Sequence, residues 1–361
     1  MTVVRPAGRG VYDVAVAGGG PAGAATAAIL AGMGCRVVLL DARDARVPHR
    51  PAPGEVLTPN AVPALAALDL LERLEGDPDL ARPLHAIVRR WPGRPVETEP
   101  LIGAPGGRGF VVDRPRFDVM LLARCEAAGV TVRRATRVMR LTRADGWRLG
   151  TDAGETVRAA VVVDATGRAA RVARQVSARR VAGHRLIALC GTCDAAIRAG
   201  TLVVAAFDRA TPPGDPAAGG WWYAVAAPSG LSFALLGSDT GDLRRGAGRD
   251  RLAVMADALG LPAETLCDAR LRVADATPSR LKLACGPGWL AVGDAAASFD
   301  PIASQGLANA LASAPEAAKA ALSMLECDAT PALAYADAVA ATWQRTADIA
   351  PHYQPRVFER S

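Results

Sequence analysis

Two patterns of hydrophobic and polar residues occur in successive parts of the chain and predict different secondary-structure elements. Up to about residue 180, short apolar runs alternate with helical patterns. Val14–Ala17 and Arg36–Leu40 predict strands on either side of an Ala-rich helix, and apolar spacing predicts further helices at Pro59–Leu74 and Arg116–Ala128. Shorter strand patterns lie at Val130–Arg133, Val138–Thr142, Trp147–Thr151 and Val157–Asp164. This alternation is typical of an α/β domain.

From about residue 181 to 280 the pattern changes to period-two alternation, which is typical of half-buried strands. These strand patterns lie at Leu186–Cys193, Thr201–Asp208, Trp221–Ala227 and Leu231–Gly237. Turn-rich stretches separate them, so we expect a mostly antiparallel sheet inserted into the α/β domain. Residues 76–107, rich in Pro and Gly, are expected to join that sheet, and after Leu290 the pattern is helical almost to the end.

The most informative motif follows the first predicted strand: Gly18-x-Gly20-x-x-Gly23, then a helix, a second strand and Asp41. Gly18 permits a tight turn, Gly20 lets the backbone approach a diphosphate, and Gly23 lets the helix pack against the strand. Asp41 lies 23 residues after Gly18, near the offset of roughly 20 expected for a carboxylate that binds ribose hydroxyls. The unit predicts a dinucleotide site with contacts from Gly18, Gly20, Pro21, Ala22, Gly23, Asp41, Ala42 and Arg43.

Two later segments have the form of a strand that runs into a glycine turn: Val161–Arg168 (VVVDATGR) and Leu290–Asn309 (LAVGDAAASFDPIASQGLAN). With the opening motif, and with Arg114–Asp118 (RPRFD) between the two sets of strands, they resemble the FAD-binding pattern of the p-hydroxybenzoate-hydroxylase-like superfamily. That superfamily includes aromatic hydroxylases, flavin-dependent halogenases and geranylgeranyl-reductase-like enzymes. The resemblance covers essentially the whole chain and implies bound FAD, with NAD(P)H or another reductant as electron donor. Because no His or Cys stands beside these motifs in the sequence, we expect non-covalent binding.

The resemblance also implies roles for individual residues. Asp294 would accept hydrogen bonds from the ribityl chain of FAD, and Pro301 would lie against its isoalloxazine ring. The helix that begins near Gln305 would direct its positive end at that ring. The remaining cofactor contacts implied by the family pattern are Arg114, Val138, Asp164, Thr166, Gly167, Gly293, Gly306 and Leu307.

The expected fold class is therefore α/β: a Rossmann-like FAD-binding domain with an inserted, mostly antiparallel β-sheet substrate domain and C-terminal helices. The expected segments are 10–75, 108–180 and 281–325 for the discontinuous FAD-binding domain, 76–107 and 181–280 for the substrate domain, and 326–361 for the C-terminal helical segment. The lack of a second GxGxxG motif disfavours enzymes with two nucleotide-binding domains, such as disulfide reductases.

Composition narrows the function classes. The net charge is +6 and nearly all basic residues are Arg, but they are dispersed and lack the aromatic interleaving of a nucleic-acid-binding surface. Without an apolar run long enough to span a bilayer, and without an apolar N-terminal leader, the chain is expected to be cytoplasmic and to bind neither nucleic acid nor membrane. Seven irregularly spaced Cys and four scattered His predict neither a disulfide framework nor a metal site. Cys190-x-x-Cys193 lies on a predicted strand, well away from the flavin motifs, which disfavours a redox role.

Three features distinguish branches of the superfamily. Halogenases require a lysine within the segment that corresponds to residues 56–110, which contains none, so halogenation is disfavoured. Asp164–Gly167 (DATG) replaces the Asp-Gly of the aromatic hydroxylases, and this disfavours direct docking of nicotinamide. Trp221–Tyr223 (WWY) and the Gly293–Gly306 segment are together similar to flavoproteins that mature tryptophylquinone-type cofactors, which oxygenate a tryptophan within a partner polypeptide.

An aromatic cluster and one carboxylate are candidate pocket residues, and no catalytic residue is assigned beyond them. On a strand, Trp221 and Tyr223 share one face and Trp222 takes the other, so either face could pack as core or line a dry pocket over the flavin. Glu55, in a Pro/Gly-rich loop with Arg50, is either near the flavin or a solvated loop charge. We expect an FAD-dependent monooxygenase that hydroxylates an electron-rich aromatic, either a tryptophan in a partner polypeptide or a small molecule. The motifs are also compatible with a reductase or dehydrogenase and with a non-catalytic assembly factor.

Overall fold

The structure of the protein, a computed structural model, describes residues 11–44, 55–104, 106–207, 220–237 and 246–353. The helices in these ranges are α1 (Pro21–Gly32), α2 (Val62–Ala67), α3 (Leu71–Gly76), α4 (Arg114–Ala127), α5 (Arg171–Gln175), α6 (Gly246–Ala258), α7 (Ala263–Cys267), α8 (Gly306–Ala312), α9 (Ala314–Leu325) and α10 (Thr330–Tyr353). The strands of the first half are β1 (Val11–Ala17), β2 (Val37–Leu40), β3 (Glu55–Leu57), β4 (Ala81–Leu84), β5 (Ala86–Arg90), β6 (Glu97–Pro100), β7 (Gly109–Val112), β8 (Thr131–Arg133), β9 (Val138–Ala144), β10 (Gly146–Thr151) and β11 (Thr156–Asp164). Those of the second half are β12 (Arg180–Ala182), β13 (Ile187–Cys193), β14 (Thr201–Ala206), β15 (Gly220–Ala227), β16 (Gly230–Gly237), β17 (Arg270–Asp275), β18 (Ser279–Leu281), β19 (Cys285–Gly286), β20 (Trp289–Ala291) and β21 (Ala297–Ser298).

An eight-stranded sheet forms the centre of the cofactor-binding part. Strands β20, β11, β1, β2 and β8 lie side by side in parallel, and the hairpin β9–β10 pairs with the start of β11. The parallel strands are continuous apolar runs because both faces are covered; β2 is buried at every position. The Ala-rich α1 packs against β2, α4 and α9. The carboxyl ends of the strands meet at one edge, and the chain brings Gly18, Asp41, Asp164 and Asp294 there from distant parts of the sequence.

A second, seven-stranded sheet has the order β17-β13-β16-β15-β14-β5-β6 and is antiparallel except where β14 pairs with β5. One face packs against α6 and α7 through Trp222, Phe233, Met255 and Leu266. The opposite face, which we call the inner face, carries Cys190, Trp221 and Tyr223 and packs against a different set of core residues. The sheet therefore has two separate apolar faces, and only the inner one can contribute to a site shared with the cofactor-binding part.

The four predicted strands are confirmed as β13, β14, β15 and β16, although they are buried at most positions on both faces and not on one face only, and the C-terminal helical region is confirmed as α8, α9 and α10. The expected helix at Pro59–Leu74 is instead two short helices, α2 and α3, because Asp69 adopts a left-handed backbone with φ 56° between them. Of residues 76–107, β5 and β6 join the large sheet as expected, whereas β4 pairs with β7 in a small separate sheet that also holds β3.

Helices α6 and α7 interrupt a segment that the alternation predicts to be entirely sheet. The helical pattern in α6 is short: Leu252, Met255 and Ala256 are buried at the spacing of one turn, and charged residues surround them. Within the described ranges, none of the helices, including the long α10, is apolar enough over sufficient length to cross a membrane.

Candidate active site

The glycine turn after β1 has the geometry that a diphosphate requires. Gly18 has φ 113°, and a Cβ there would overlap the carbonyl oxygen of Ala165 in the neighbouring loop. A Cβ on Gly23 would overlap the carbonyl oxygen of Gly18, so close packing of helix and turn excludes any side chain. A Cβ on Gly20, in contrast, would meet nothing within 4 Å. The space above Gly20 is where a diphosphate can approach the backbone.

The N-terminus of α1 leaves its first N–H groups without side-chain acceptors. Gly20 is the N-cap residue and makes no capping bond, Pro21 occupies the first turn, and the first turn holds no acidic residue. A twelve-residue helix carries a partial positive charge at this end. The site therefore has the donors and the field that a phosphate group needs, and the residues present fit the dinucleotide part of FAD.

A chain of ion pairs runs along one side of the site from Asp41 to Glu55. Arg43 contacts Asp41 at 2.9 Å and also pairs with Asp118. Arg114 donates from Nε to Asp118 Oδ1 at 2.8 Å and from Nη1 to Glu55 Oε2 at 2.5 Å. Burial opposes the charge on Arg114, but Glu55 and Asp118 outweigh it and raise the pKa of the guanidinium. Arg114 is thus held by two carboxylates, and Glu55 is an ordered ion-pair partner, not a solvated loop charge.

The loop that carries Val138 is fixed to the same edge. Two backbone N–H groups, those of Ala135 and Thr136, donate to the carbonyls of Arg43 and Asp41 at 2.9 and 2.8 Å. Val138 follows directly and is buried at the start of β9. The structure therefore brings Val138 to the carboxyl edge that also carries Asp41, where the family pattern implies a contact between the Val138 backbone and the adenine of FAD.

The side-chain oxygens of Asp164 and Thr166 make their hydrogen bonds within the protein. The Asp164 carboxylate is fully buried and accepts from the N–H groups of Thr166 and Ala173 at 3.0 and 2.8 Å and from the Thr166 hydroxyl at 2.7 Å. The Thr166 hydroxyl in turn accepts from the N–H of Arg171 at 2.7 Å. These bonds fix the turn at Gly167, which has φ 64°. In this structure the two side chains position the loop, so a cofactor contact from it would come from its backbone.

Asp294 differs, because it lies at the wall of a cavity and its carboxylate makes no hydrogen bond or ion pair with the described residues. Burial raises the pKa of this carboxyl group; the charge of Glu55 adds to the rise, while Arg168 and Arg114 oppose it. A half-buried carboxylate without a donor partner is costly. A hydroxyl from a ribityl chain would supply the missing donor, so this residue also fits FAD.

That cavity measures about 290 Å³ and separates the carboxyl edge of the parallel sheet from the inner face of the large sheet. The flavin-motif side contributes Asp294, Pro301, Gly306 and Leu307, and α8 begins at Gly306 without a side-chain cap. The sheet side contributes mainly small or apolar residues. These are Ala188, Cys190, Leu202, Tyr223, Ala234, Leu236 and Ala274. The edge strand β17 adds the charged Arg272 and Asp275, so the wall opposite the third flavin motif is apolar over most of the sheet and charged at one edge.

The aromatic cluster divides between the two faces of β15 as the alternation predicts. Tyr223 lines the cavity, and burial raises the pKa of its phenol well above the ordinary value. Trp222 packs on the opposite face against α6 and α7, so its candidacy as a pocket residue is wrong. Trp221 shares the inner face with Tyr223, at 6.3 Å between ring centroids, but is fully buried behind the cavity wall and does not line it.

The expectation that Cys190 lies well away from the flavin motifs is wrong. β13 crosses opposite the carboxyl edge, and Cys190 lines the same cavity as Asp294 and Pro301. Burial raises the pKa of the Cys190 thiol to about 11, so it is neutral at physiological pH. Cys193 points to the other face of the strand, and both thiols are free. The redox interpretation therefore fails because of strand geometry and thiol pKa, not because of distance.

His184 is a neighbour of the site that sequence spacing could not reveal. Its Nε2 lies 3.2 Å from Oδ2 of Asp300, a buried residue that lines the cavity and caps the turn at Pro301 through the N–H of Ile302. A His and a Cys thus lie near the flavin motifs in space, although neither is beside them in the sequence. Arg50 lies outside the described residues. Within the described ranges, His, Cys, Asp and Glu side chains form no group of three that could hold a metal ion.

Comparison with known proteins agrees with this geometry. LodB of Marinomonas mediterranea, described as an FAD-dependent oxidoreductase, is 29% identical over 333 residues, 86% of this chain and 85% of LodB. The flavin-dependent brominase Bmp2 superposes with a TM-score of 0.80 at 20% identity, and the superposition covers 96% of this chain and 88% of the Bmp2 chain. The peptidyl tryptophan dihydroxylase QhpG superposes with a TM-score of 0.75 at 24% identity and covers 97% of this chain and 77% of its own.

At such low identities the two structural similarities establish the fold alone. The family is established by the FAD binding domain model, which matches residues 11–209 and includes the glycine turn, Asp41, Arg114 and Asp164. The chain belongs to this FAD binding domain family and is an FAD-dependent oxidoreductase.

Proposed function

We propose that the protein hydroxylates the indole ring of a tryptophan within a partner polypeptide. The observation that carries the proposal is the cavity itself, which is lined by Asp294 and Pro301 of the flavin motif together with Tyr223 and several small apolar side chains. An aromatic ring on that wall would lie next to the flavin position. QhpG, with a similar fold over nearly the whole chain, is a peptidyl tryptophan dihydroxylase essential for tryptophylquinone cofactor biogenesis, which supports this choice of substrate.

When bound and reduced, FAD supplies the activation of O₂ and the transfer of an oxygen atom to carbon. The residues of this chain have other tasks. The α1 N-terminus and Gly20 bind the diphosphate, and the Asp294 carboxylate orients the ribityl chain. Ala188, Leu202 and the neighbouring apolar residues keep water from the wall.

Tyr223 places a hydroxyl group among the apolar residues of the wall. Its hydroxyl makes no hydrogen bond with the described residues, and its raised pKa keeps it protonated. It can therefore donate a hydrogen bond to the acceptor or to oxygen, but it cannot act as an anionic base near neutral pH. An indole carbon is nucleophilic without prior deprotonation, so the substrate we propose does not require such a base.

The size of the cavity limits what enters it. This cavity measures about 290 Å³, slightly less than the about 300–1,000 Å³ typical of small-ligand sites, and the flavin ring would take up the part of it beside Asp294 and Pro301. A folded partner cannot enter, so only the indole side chain would reach the flavin while the rest of the polypeptide stays outside. The same small volume favours a second candidate function, hydroxylation of a small aromatic molecule.

One comparison of acceptors separates the two candidates. The FAD-loaded protein, supplied with a reductant and O₂, is given a synthetic peptide with one central tryptophan and, separately, free indole and free tryptophan. Products are measured by mass spectrometry. Our proposal predicts oxygenation of the peptide with a much higher kcat/KM than of either free compound. The small-molecule function predicts the reverse order, and that order would overturn the proposal.

A further inference from the structure

At one edge of the large sheet, the inner face carries a cationic side chain that lines the cavity. Arg272 lies on the edge strand β17, directly opposite Cys190 on β13. Cys190 in turn lies opposite Ala234, and Ala234 opposite Tyr223. Directly paired residues project to the same side of a sheet, so Arg272 belongs to the row that includes Tyr223, and both line the cavity. The guanidinium acts electrostatically on both the Cys190 thiol and the Tyr223 phenol.

Arg272 differs from the other cation of the cavity wall in its hydrogen bonding. Arg168 donates to the carbonyl of Thr277 and lies 3.6 Å from Asp275. Arg272 makes no hydrogen bond and no ion pair with any described residue. It also lies in the same cavity as the Glu55 carboxylate, but Arg114 already binds that group at 2.5 Å. An uncommitted guanidinium is therefore available on the wall where the aromatic acceptor is proposed to bind.

We propose that Arg272 recognises a carboxylate carried by the aromatic acceptor, so that the preferred substrate class is an aromatic ring with an acidic group beside it. The inference rests on the proposed function and specifies its substrate. The planar guanidinium matches a carboxylate through two parallel N–H···O bonds. A phosphate suits the site less well, because Glu55, Asp275, Asp294 and Asp300 surround the cavity and repel a second negative charge.

A carboxylate next to an aromatic ring can come from two kinds of acceptor. In a polypeptide, the carboxylate would belong to an Asp or Glu side chain close to the tryptophan; in a small acceptor, it would be that of an indole acid. The recognition geometry is shared, and matched pairs of acceptors distinguish the sources. The competing explanation is that Arg272 only protects an exposed sheet edge from pairing with another chain, which charged side chains commonly do.

Arg270 provides a matched control for that explanation. It stands two residues earlier on the same edge strand, opposite Thr192, and projects to the same face, but it does not line the cavity. Arg270→Gln and Arg272→Gln therefore remove the same charge from the same edge. A role in edge protection predicts similar effects of both variants on aggregation, whereas recognition predicts that only Arg272→Gln changes substrate preference.

The experiment compares parent, Arg272→Gln, Arg272→Lys and Arg270→Gln, each loaded with FAD, on two tryptophan peptides that differ only in Glu or Gln beside the tryptophan. Indole-3-propionate and its amide form a second, small-molecule pair. KM and kcat come from product mass spectrometry, and Kd comes from the change of the flavin absorption spectrum on acceptor binding. For the acidic peptide, Arg272→Gln should raise KM and Kd about ten- to hundredfold, Arg272→Lys should recover part of that loss, and the Gln peptide should be unaffected.

The outcomes are distinct. If the parent oxygenates both peptides with equal KM, and Arg272→Gln changes neither, the inference fails while the proposed function stands. If the parent prefers the acidic member only in the pair of indole-3-propionate and its amide, the carboxylate belongs to a small acceptor. That result supports recognition by Arg272 and overturns the proposal that the substrate is a polypeptide. If no acceptor gains oxygen, the proposed function itself fails. Equal effects of Arg270→Gln and Arg272→Gln would overturn recognition by Arg272.

Discussion

Replacing Asp294 with Asn should weaken FAD binding without weakening the fold. The carboxylate lies at the cavity wall without a hydrogen-bond donor from the described residues, and burial raises its pKa. A carboxyl group whose pKa is higher in the folded than in the unfolded state lowers the free energy of unfolding as pH rises through the window between the two values. At neutral pH the apo-protein therefore bears the full cost of this charge. Asp294→Asn removes it, so the variant apo-protein should be at least as stable as the parent.

The effect on FAD has the opposite sign. A hydrogen bond from a ribityl hydroxyl to an ionised acceptor contributes about 1.5–3 kcal/mol. Losing its charge-assisted part should raise the Kd for FAD about ten- to hundredfold. Because the hydroxyl donates to the ionised form, the affinity of the parent should also fall as pH drops through the pKa of Asp294, and the variant should lose that dependence.

The assay is a titration of apo-protein with FAD, followed by quenching of flavin fluorescence, together with thermal unfolding followed by circular dichroism. Asp145→Asn is the control, because it removes one carboxylate from an exposed turn of the same sheet. The control should bind FAD as the parent does. If Asp294→Asn binds FAD as tightly as the parent at neutral pH, the assignment of this motif to the ribityl chain is wrong.

Changes at the glycine turn, at Cys190 and in the halide supply test other parts of the site. Gly20→Ala should change the free energy of unfolding by about 1 kcal/mol or less, because its Cβ enters open space, but it should lower FAD affinity in the same titration. In Gly23→Ala the new Cβ would overlap the Gly18 carbonyl, so this variant should give a lower yield of folded protein in size-exclusion chromatography. Cys190→Ser should retain more than half of the parent's turnover in product mass spectrometry, since the neutral thiol only lines the wall, and a much larger loss would restore a chemical role for it. The loaded enzyme, given chloride or bromide with reductant and O₂, should form no halogenated indole or phenol, because none of the described residues that line the cavity is a lysine; halogenated product at useful turnover would reverse the ranking of the branches.

The cofactor-binding features could be predicted from sequence because they are local. The glycine turn, the following helix and Asp41 lie within one short segment, where the glycines are required by the backbone and Asp41 by its carboxylate. The strands β13 to β16 could be predicted because short apolar runs lie between turn-rich stretches, but the burial of both faces in two separate cores was not predicted, since the pattern indicated half-buried strands.

What could not be predicted depends on which distant elements meet. Cys190 looked remote from the flavin motifs along the chain, yet β13 crosses directly opposite Asp294. His184 and Asp300 are far apart in sequence and form a contact only because two loops converge. Asp164 matched the motif, but its carboxylate accepts hydrogen bonds from two donors of Thr166 and from the N–H of Ala173 in α5, a requirement that no sequence pattern displays. Alternation along the strand predicts that Trp222 lies on the opposite face from Trp221 and Tyr223. Which of the two faces lines the pocket depends on where α6 and α7 pack, and this could not be predicted.

The most direct test of oxygen transfer to a peptidyl tryptophan is isotopic. FAD-loaded protein, reductant and a tryptophan-containing peptide are incubated under O₂ enriched in the heavy isotope, and the peptide is fragmented by mass spectrometry. We expect oxygen from O₂ to appear on the indole ring, and FAD-free protein to transfer none. A peptide that is oxidised or reduced without gaining labelled oxygen would contradict the proposed hydroxylation and identify the enzyme as a dehydrogenase or reductase.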